Sequence, residues 1–295
     1  MDIQRIGIVG CGLMGSGIAQ CAAESGFQVR VKEVEEALLT KGLARIHSAW
    51  DRGVTKGKVT AEQRAEWSGN LQGTLTFAAL ADCDLVVEAI PERLNLKLQT
   101  FAELDRVLGS NALLCTNTSS LSVAQVSPAL SPQRIPRLAG LHFFNPVPAM
   151  PLVEIVRTLA TEGDTLAALR AFVLKLGKTA VMAPDAPGFV VNRLLVPYLL
   201  DAMRCAEQRL ATVEDLDIAM KLGCGHPMGP LHLSDFIGLD TMQSVAEVLF
   251  DAFGEARFKA PALLRQLVAA GRLGRKSGSG FYRWESEKRM EALPL

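Results

Sequence analysis

Residues 10–15 read Gly10-Cys11-Gly12-Leu13-Met14-Gly15, and Gly17 extends the run. The pattern is short; its position is what constrains the fold. Before it, residues 3–9 alternate into a compact apolar strand. After it, residues 14–25 set Ile18, Ala19, Ala22 and Ala23 on one helical face, and residues 27–31 read as the next strand. Strand, glycine turn, helix and strand make a βαβ unit, which implies a parallel sheet. In such a unit the first glycine permits the tight turn, the second lets the backbone approach a pyrophosphate, and the third allows close helix–strand packing. The helix N-terminus adds free N–H groups and a positive dipole end. Gly10, Gly12, Leu13, Met14 and Gly15 are therefore expected to hold a dinucleotide. The alternative is a glycine-rich turn with no ligand.

The rest of the chain extends the pattern. Helical periodicity covers roughly residues 35–51 and 60–67, a buried strand 84–88, a helix 94–107 and a strand 112–116. Residues 137–142 and 152–157 read as late strands, 166–176 as a helix and 179–183 as a final strand. Pro184-Asp185-Ala186-Pro187-Gly188 then punctuates the chain. Beyond it lie a long amphipathic helix over 189–209, with Pro197 predicting a kink, a helix capped by Thr212, and helical stretches over 239–253 and 261–270. A glycine-rich element covers 271–284. The reading is an α/β protein: a Rossmann-type domain over residues 1–184 with a mostly parallel sheet, and an all-α domain over 185–295.

Lys plus Arg and Asp plus Glu are each 31 among 295 residues, so the formal net charge is zero. Bulk electrostatics gives no support for nucleic-acid or membrane-surface binding. No apolar stretch has the length of a membrane span, and no signal peptide is apparent. Cys11, Cys21, Cys83, Cys115, Cys205 and Cys224 form no CxxC pair. They read as reduced, mostly buried thiols of a cytoplasmic protein, with no metal site.

Two carboxylates fall at strand ends. Glu33 follows the second strand, where an acidic side chain accepts ribose hydroxyls and repels a 2′-phosphate, which favours NAD over NADP. Glu88 ends the strand at 84–88, as a second cofactor contact or as a cap for the following helix. A different constellation stands later: Gly140-Leu141-His142-Phe143-Phe144-Asn145-Pro146-Val147-Pro148, then Pro151-Leu152-Val153-Glu154-Ile155-Val156. It places a histidine and a carboxylate on two apolar segments joined by a proline-rich turn. A neutral imidazole with an acid behind it is a general base of fixed tautomer. Beside a dinucleotide fingerprint it points to hydride transfer rather than hydrolysis.

Taken in order, Gly10 to Gly15, Asn117-Thr118-Ser119-Ser120, His142 to Pro146, Glu154, Pro187-Gly188-Phe189-Val190-Val191-Asn192-Arg193, Met228-Gly229-Pro230 and Gly278-Ser279-Gly280-Phe281-Tyr282 span nearly the whole chain. The set resembles the L-3-hydroxyacyl-CoA dehydrogenase family, nearest its short, single-function 3-hydroxybutyryl-CoA members. The resemblance implies NAD as cofactor and an acyl-CoA substrate. It makes His142 the base, Glu154 its orienting partner, Ser119 a hydrogen-bonding group at the substrate oxygen, and Asn192 an amide donor near the thioester. Asn117 would line the nicotinamide pocket, and Asn145 would touch the cofactor or hold the site's geometry. Ser48 and Lys56, with Lys58, lie where the family meets the nucleotide part of CoA. Each also has a plainer role: Ser119, Ser120 or Ser122 as a helix N-cap, Asn145 as a turn residue, Asn192 as an interdomain contact, the lysines as solvated charge. The segment between Ser119 and His142 is about two residues longer than the family pattern, a change surface loops tolerate. The helical domain is expected to close over substrate and to form a homodimer interface. Rival readings are a dehydrogenase of a free hydroxy acid such as gulonate, and a non-catalytic NAD-binding protein. No residue separates fatty-acid breakdown from polymer or butyrate metabolism.

Overall fold

The apolar run after the N-terminus becomes β1 (Arg5–Val9), buried along its last four residues because strands flank it on both sides. The computed structural model describes residues 2–119, 121–286 and 288–294. Two units follow one another, Met1–Ala186 and Pro187–Leu295.

In the first unit α1 (Leu13–Glu24) leads from β1 to β2 (Gln28–Lys32). Then come α2 (Glu36–Thr55), α3 (Ala61–Gly69), β3 (Leu71–Thr74), β4 (Leu85–Glu88), α4 (Leu94–Val107), β5 (Leu113–Thr116), β6 (Leu138–Phe143), β7 (Leu152–Arg157), α5 (Gly163–Lys175) and β8 (Thr179–Pro184). The eight strands form one sheet in the order β3-β2-β1-β4-β5-β6-β7-β8. Every neighbouring pair is parallel except β6 and β7. The order reverses between β1 and β4, which is where open α/β sheets bind ligands at the strands' carboxyl ends. The edge strand β3 was not expected. Its sequence, Leu-Gln-Gly-Thr, has no apolar alternation, and it pairs with β2 through its backbone while Gly73 makes room for Leu39 and Leu43 of α2. Short 3-10 turns at Val123–Ala129 and Ile135–Arg137 carry the chain from β5 to β6.

The second unit contains α6 (Val191–Glu207), which runs through Pro197, α7 (Val213–Cys224), α8 (Pro230–Ile237), α9 (Leu239–Phe253) and α10 (Ala262–Ala269). Thr212 caps α7 by accepting from the Asp215 N–H. The unit is helical, with one addition to the all-α expectation: the glycine-rich end continues into an antiparallel pair, β9 (Tyr282–Glu285) and β10 (Lys288–Ala292). Two buried aspartates tie this end down. Asp235 accepts from the backbone N–H groups of Phe281 and Tyr282 and from the Trp284 indole. Asp217 accepts from Leu231 N, His232 N and the Tyr282 hydroxyl. The glycines opposite are dictated by these carboxylates: a Cβ on Gly280 would stand 2.0 Å from Asp235 Oδ1, and one on Gly229 would stand 2.3 Å from Asp217 Cβ.

His232 lies against the Tyr282 and Trp284 rings. Burial, with help from Arg289 and Lys221, pushes its pKa down from 6.5 to about 4. The native state thus binds fewer protons than the unfolded chain between these values, so this residue's contribution is full above pH 6.5 and is lost as pH falls toward 4. The loss amounts to about 3 kcal/mol at most. Asp217 and Asp235 act in the opposite sense, since burial raises their pKa values. A His232→Gln variant is expected to show a shallower acid decline in melting temperature than the parent between pH 6.5 and 4, followed by tryptophan fluorescence. Parallel declines in the two proteins would refute the assignment.

Candidate active site

The glycine turn is shaped by contacts that only glycine permits. Gly10 has φ +95°, and a Cβ there would meet Ala89 O at 2.7 Å; one on Gly15 would fall 1.8 Å from Gly10 O. At Gly12, the N-cap of α1, a Cβ would meet nothing within 4 Å. No side chain caps α1 and its first turn holds no acid. Its first N–H groups are therefore open to an anion. Leu13 is exposed and Met14 half-buried beside them. Glu33 stands at the end of β2, with its carboxylate accepting from Cys11 N at 2.6 Å and Val34 N at 3.0 Å. A carboxylate retains acceptor capacity beyond two such bonds. An open cradle, free helix N–H groups and an acid at the second strand's end fit a dinucleotide with an unphosphorylated ribose.

Glu88 requires a correction. It neither reaches the crevice nor caps α4 from outside: its side chain is 0 % exposed and fully occupied. Lys97 Nζ lies 2.8 Å from both its oxygens, the Thr116 hydroxyl donates at 2.7 Å, and Ile90 N donates at 2.7 Å. Lys97, also 0 % exposed, pairs with Glu92 at 3.1 Å. Glu92 in turn accepts from the Thr118 hydroxyl and from the N–H groups of Ser119 and Leu121. A buried ammonium thus joins the end of β4 to the loop that carries Ser119.

Ser119 itself is half-buried, and its hydroxyl bonds to none of the described residues. It is not an N-cap. That position before the 3-10 turn belongs to Ser122, and the turn is capped by Asp185, which accepts from the Ser122 hydroxyl, Val123 N and Ala124 N. Ser120, the other capping candidate, lies outside the described residues. Asn117, at the end of β5, accepts from Phe143 N at 2.9 Å and so anchors β6 beside His142.

The antiparallel register of β6 and β7 sets His142 directly across from Glu154. Gly140, two residues earlier on the same face, admits the close approach, since a Cβ there would lie 2.8 Å from Val156 Cβ. His142 is 7 % exposed and Glu154 is 0 % exposed. His142 Nδ1 stands 2.6 Å from Glu154 Oε2. An ionised carboxylate only accepts, so Nδ1 carries the proton and the neutral ring presents Nε2 as its basic nitrogen. The Phe144 ring packs on the imidazole at 4.5 Å between centroids. Beyond the strand, Asn145 is exposed before a cis peptide to Pro146, and its amide bonds to none of the described residues.

Ser48 and Lys56 are exposed on α2 and its C-cap. Lys41, Ser48, Arg52 and Lys56 recur at helical spacing, so they form one polar stripe. Asn192 is the second residue of α6 in the second unit and is half-buried. Among the described residues no group of His, Cys, Asp or Glu could hold a metal ion, and no helix is long and apolar enough to cross a membrane.

Residues 5–186 match the family model "3-hydroxyacyl-CoA dehydrogenase, NAD binding domain" and residues 188–284 match "3-hydroxyacyl-CoA dehydrogenase, C-terminal domain". A 3-hydroxybutyryl-CoA dehydrogenase of Mycobacterium tuberculosis is 50% identical over 283 residues, covering 95% of this chain and 98% of that protein. The 3-hydroxyadipyl-CoA dehydrogenase of Escherichia coli is 42% identical over 290 residues, covering 98% of this chain and 60% of that protein. The crystal structure of (S)-3-hydroxybutyryl-CoA dehydrogenase from Ralstonia eutropha superposes with a TM-score of 0.92 at 41% identity, covering 96% of this chain and all of that one. With both family models matched in sequence over nearly its whole length, the chain belongs to the 3-hydroxyacyl-CoA dehydrogenase family and is an oxidoreductase that uses NAD.

Proposed function

We propose that the protein interconverts short-chain L-3-hydroxyacyl-CoA, such as 3-hydroxybutyryl-CoA, and the 3-ketoacyl-CoA. The observation that carries the reading is the buried His142–Glu154 pair, whose tautomer leaves a basic nitrogen for a hydroxyl proton. Bound NAD would supply the hydride acceptor, held by the Gly10–Gly15 turn and Glu33. In oxidation His142 Nε2 takes the hydroxyl proton, and Glu154 steadies the resulting imidazolium. In reduction the same nitrogen returns the proton. The Ser119 hydroxyl orients the substrate oxygen, Asn117 lines the nicotinamide pocket, and Asn145 contacts the cofactor. Asn192 donates its amide near the thioester. Lys41, Arg52 and Lys56, with Ser48, suit the phosphates of the carrier.

The exposed side chains of Leu194 on α6 and of Ile218 and Leu222 on α7 support a homodimer built through the second unit. The free thiols, among them the buried Cys11, Cys21, Cys83 and Cys115, favour a reducing compartment and so a cytoplasmic protein. A second reading concerns the acyl group alone. The relative named 3-hydroxyadipyl-CoA dehydrogenase supports a longer, acidic acyl chain as the alternative, since one methylene in a pocket discriminates by only about 1–3 kcal/mol.

The test is NADH oxidation by the purified protein with acetoacetyl-CoA, followed at the nicotinamide absorbance, with NADPH in parallel. Turnover with NADH and a much higher KM for NADPH is the expected result. Absence of turnover with measurable NADH binding would overturn the acyl assignment, and longer thioesters, carrier-protein thioesters and gulonate would be tried next.

A further inference from the structure

The glycine turn is gripped from both sides by side chains, Arg45 on α2 and Glu33 at the end of β2. Arg45, on α2, donates through Nη1 to Gly12 O at 3.1 Å, to Cys11 O at 3.3 Å and to the Ser16 hydroxyl at 3.1 Å. Gly42, one turn earlier on the same helix, makes this reach possible. A Cβ at Gly42 would stand 2.2 Å from Cys11 Sγ, so α2 lies directly against the turn. From the other side Glu33 accepts from Cys11 N at 2.6 Å.

Peptide planarity converts these contacts into a statement about donors. In a trans peptide the C=O of one residue and the N–H of the next point in opposite directions. An arginine holding the carbonyls of Cys11 and Gly12 therefore turns the N–H groups of Gly12 and Leu13 to the other side. Those are the groups that meet a pyrophosphate at this kind of turn. The α1 bond from Ser16 N to Gly12 O at 3.0 Å already aims the Gly12 carbonyl, so Arg45 adds to that bond there and holds the Cys11 carbonyl itself, next to a glycine with no Cβ to restrict its dihedrals.

We propose that Arg45 is a positioning residue for the cofactor: it fixes the peptide orientations at Cys11 and Gly12 so that the Gly12 and Leu13 N–H groups face the pyrophosphate. The inference rests on NAD binding and not on the identity of the acyl substrate, so a failed dehydrogenase assay leaves it standing. Nη1 carries two N–H bonds that the three acceptors share, and the planar guanidinium holds them in one orientation, whereas a lysine ammonium is a rotating point charge on a flexible stem.

The experiment is a fluorescence titration of NADH, without substrate, into the parent protein and the Arg45→Gln, Arg45→Ala and Arg45→Lys variants. ADP-ribose, which keeps the pyrophosphate and lacks the nicotinamide, is titrated by displacement. Removing the brace should raise Kd about tenfold for both ligands, with partial rescue in Arg45→Lys. With acetoacetyl-CoA, kcat at saturating NADH and KM for the thioester should stay within about twofold, because nothing at the reacting centre changes. A purely structural arginine would lower melting temperature without this split between cofactor affinity and kcat. An unchanged Kd for ADP-ribose would overturn the proposal. So would a rise in KM for acetoacetyl-CoA at unchanged NADH affinity, which would assign Arg45 to the carrier's phosphates with Arg52 and Lys56.

Discussion

His142→Ala is expected to lower kcat for acetoacetyl-CoA reduction by about 10²–10⁴-fold while leaving NADH affinity nearly unchanged. The size follows from what the ring does. Nε2 is the one basic nitrogen that the β6–β7 pair holds in place, and with Nδ1 committed to Glu154 at 2.6 Å the ring has no other way to carry a proton. The companion Glu154→Gln keeps the shape and removes the charge. An amide can present its N–H to Nδ1, which stabilises the tautomer with the proton on Nε2 and blocks the base in oxidation; in reduction the imidazolium that donates the proton is harder to form without the carboxylate's charge. A comparable loss, about 10³–10⁴-fold, is therefore expected from a change of a few atoms at a site with no solvent access. Stopped-flow reduction at saturating NADH separates this step from cofactor binding. If either variant keeps more than about a tenth of the parent kcat, the pair is not the proton-transfer device and the candidate site must be sought elsewhere.

The same pair shows what sequence reading reaches. The two apolar segments, the turn between them and the two polar residues are visible in residues 140–156, because alternation and proline mark them locally. Their direct opposition depends on β7 running antiparallel to β6, with β8 following β7, while all other neighbouring strands are parallel, a tertiary fact that Gly140 facilitates by admitting Val156. The glycine turn was legible for the same local reason, since strand, glycines and helix follow one another in sequence. Glu88 misled because a carboxylate at a strand end looks alike whether it faces a crevice or a buried ammonium. The signal that separates the two was present in α4. Lys97, Phe101 and Leu104 recur at the spacing of one buried helical face, and a lysine in such a stripe needs a counter-charge. β3 and β10 carry no signal because Leu71–Thr74 and Lys288–Ala292 lack apolar alternation and owe their strand form to backbone pairing; β9 does alternate, with Tyr282 and Trp284 buried and Arg283 and Glu285 exposed, but over four residues only. Arg45 carries no sequence signature: on a helix surface it reads as one more solvated charge until the packing of Gly42 on Cys11 is known.

Lys97→Met should be the most destabilising single substitution in the first unit that leaves the reacting centre untouched. The ammonium has no exposed surface and stands 2.8 Å from both oxygens of an equally buried Glu88. Removing it leaves a carboxylate with only the Thr116 hydroxyl and Ile90 N to replace its hydration. Breaking one side of such a pair costs about 3–5 kcal/mol, a large share of the roughly 5–15 kcal/mol that holds a domain folded. Replacing both partners, as in Glu88→Leu with Lys97→Met, removes the stranded charge as well, and much of the loss should be recovered. Urea unfolding at pH 7 of the parent, the single variant and the double variant measures both quantities. A single variant within about 1 kcal/mol of the parent would mean that the Glu88 carboxyl relaxes to water or takes up a proton without penalty, contrary to its burial. The double variant also isolates Glu92, which loses its ammonium partner yet keeps part of its surface in solvent. Because Glu92 still grips Thr118 and the N–H groups of Ser119 and Leu121, restored stability with a raised KM for acetoacetyl-CoA would place the lysine's second task at the substrate loop.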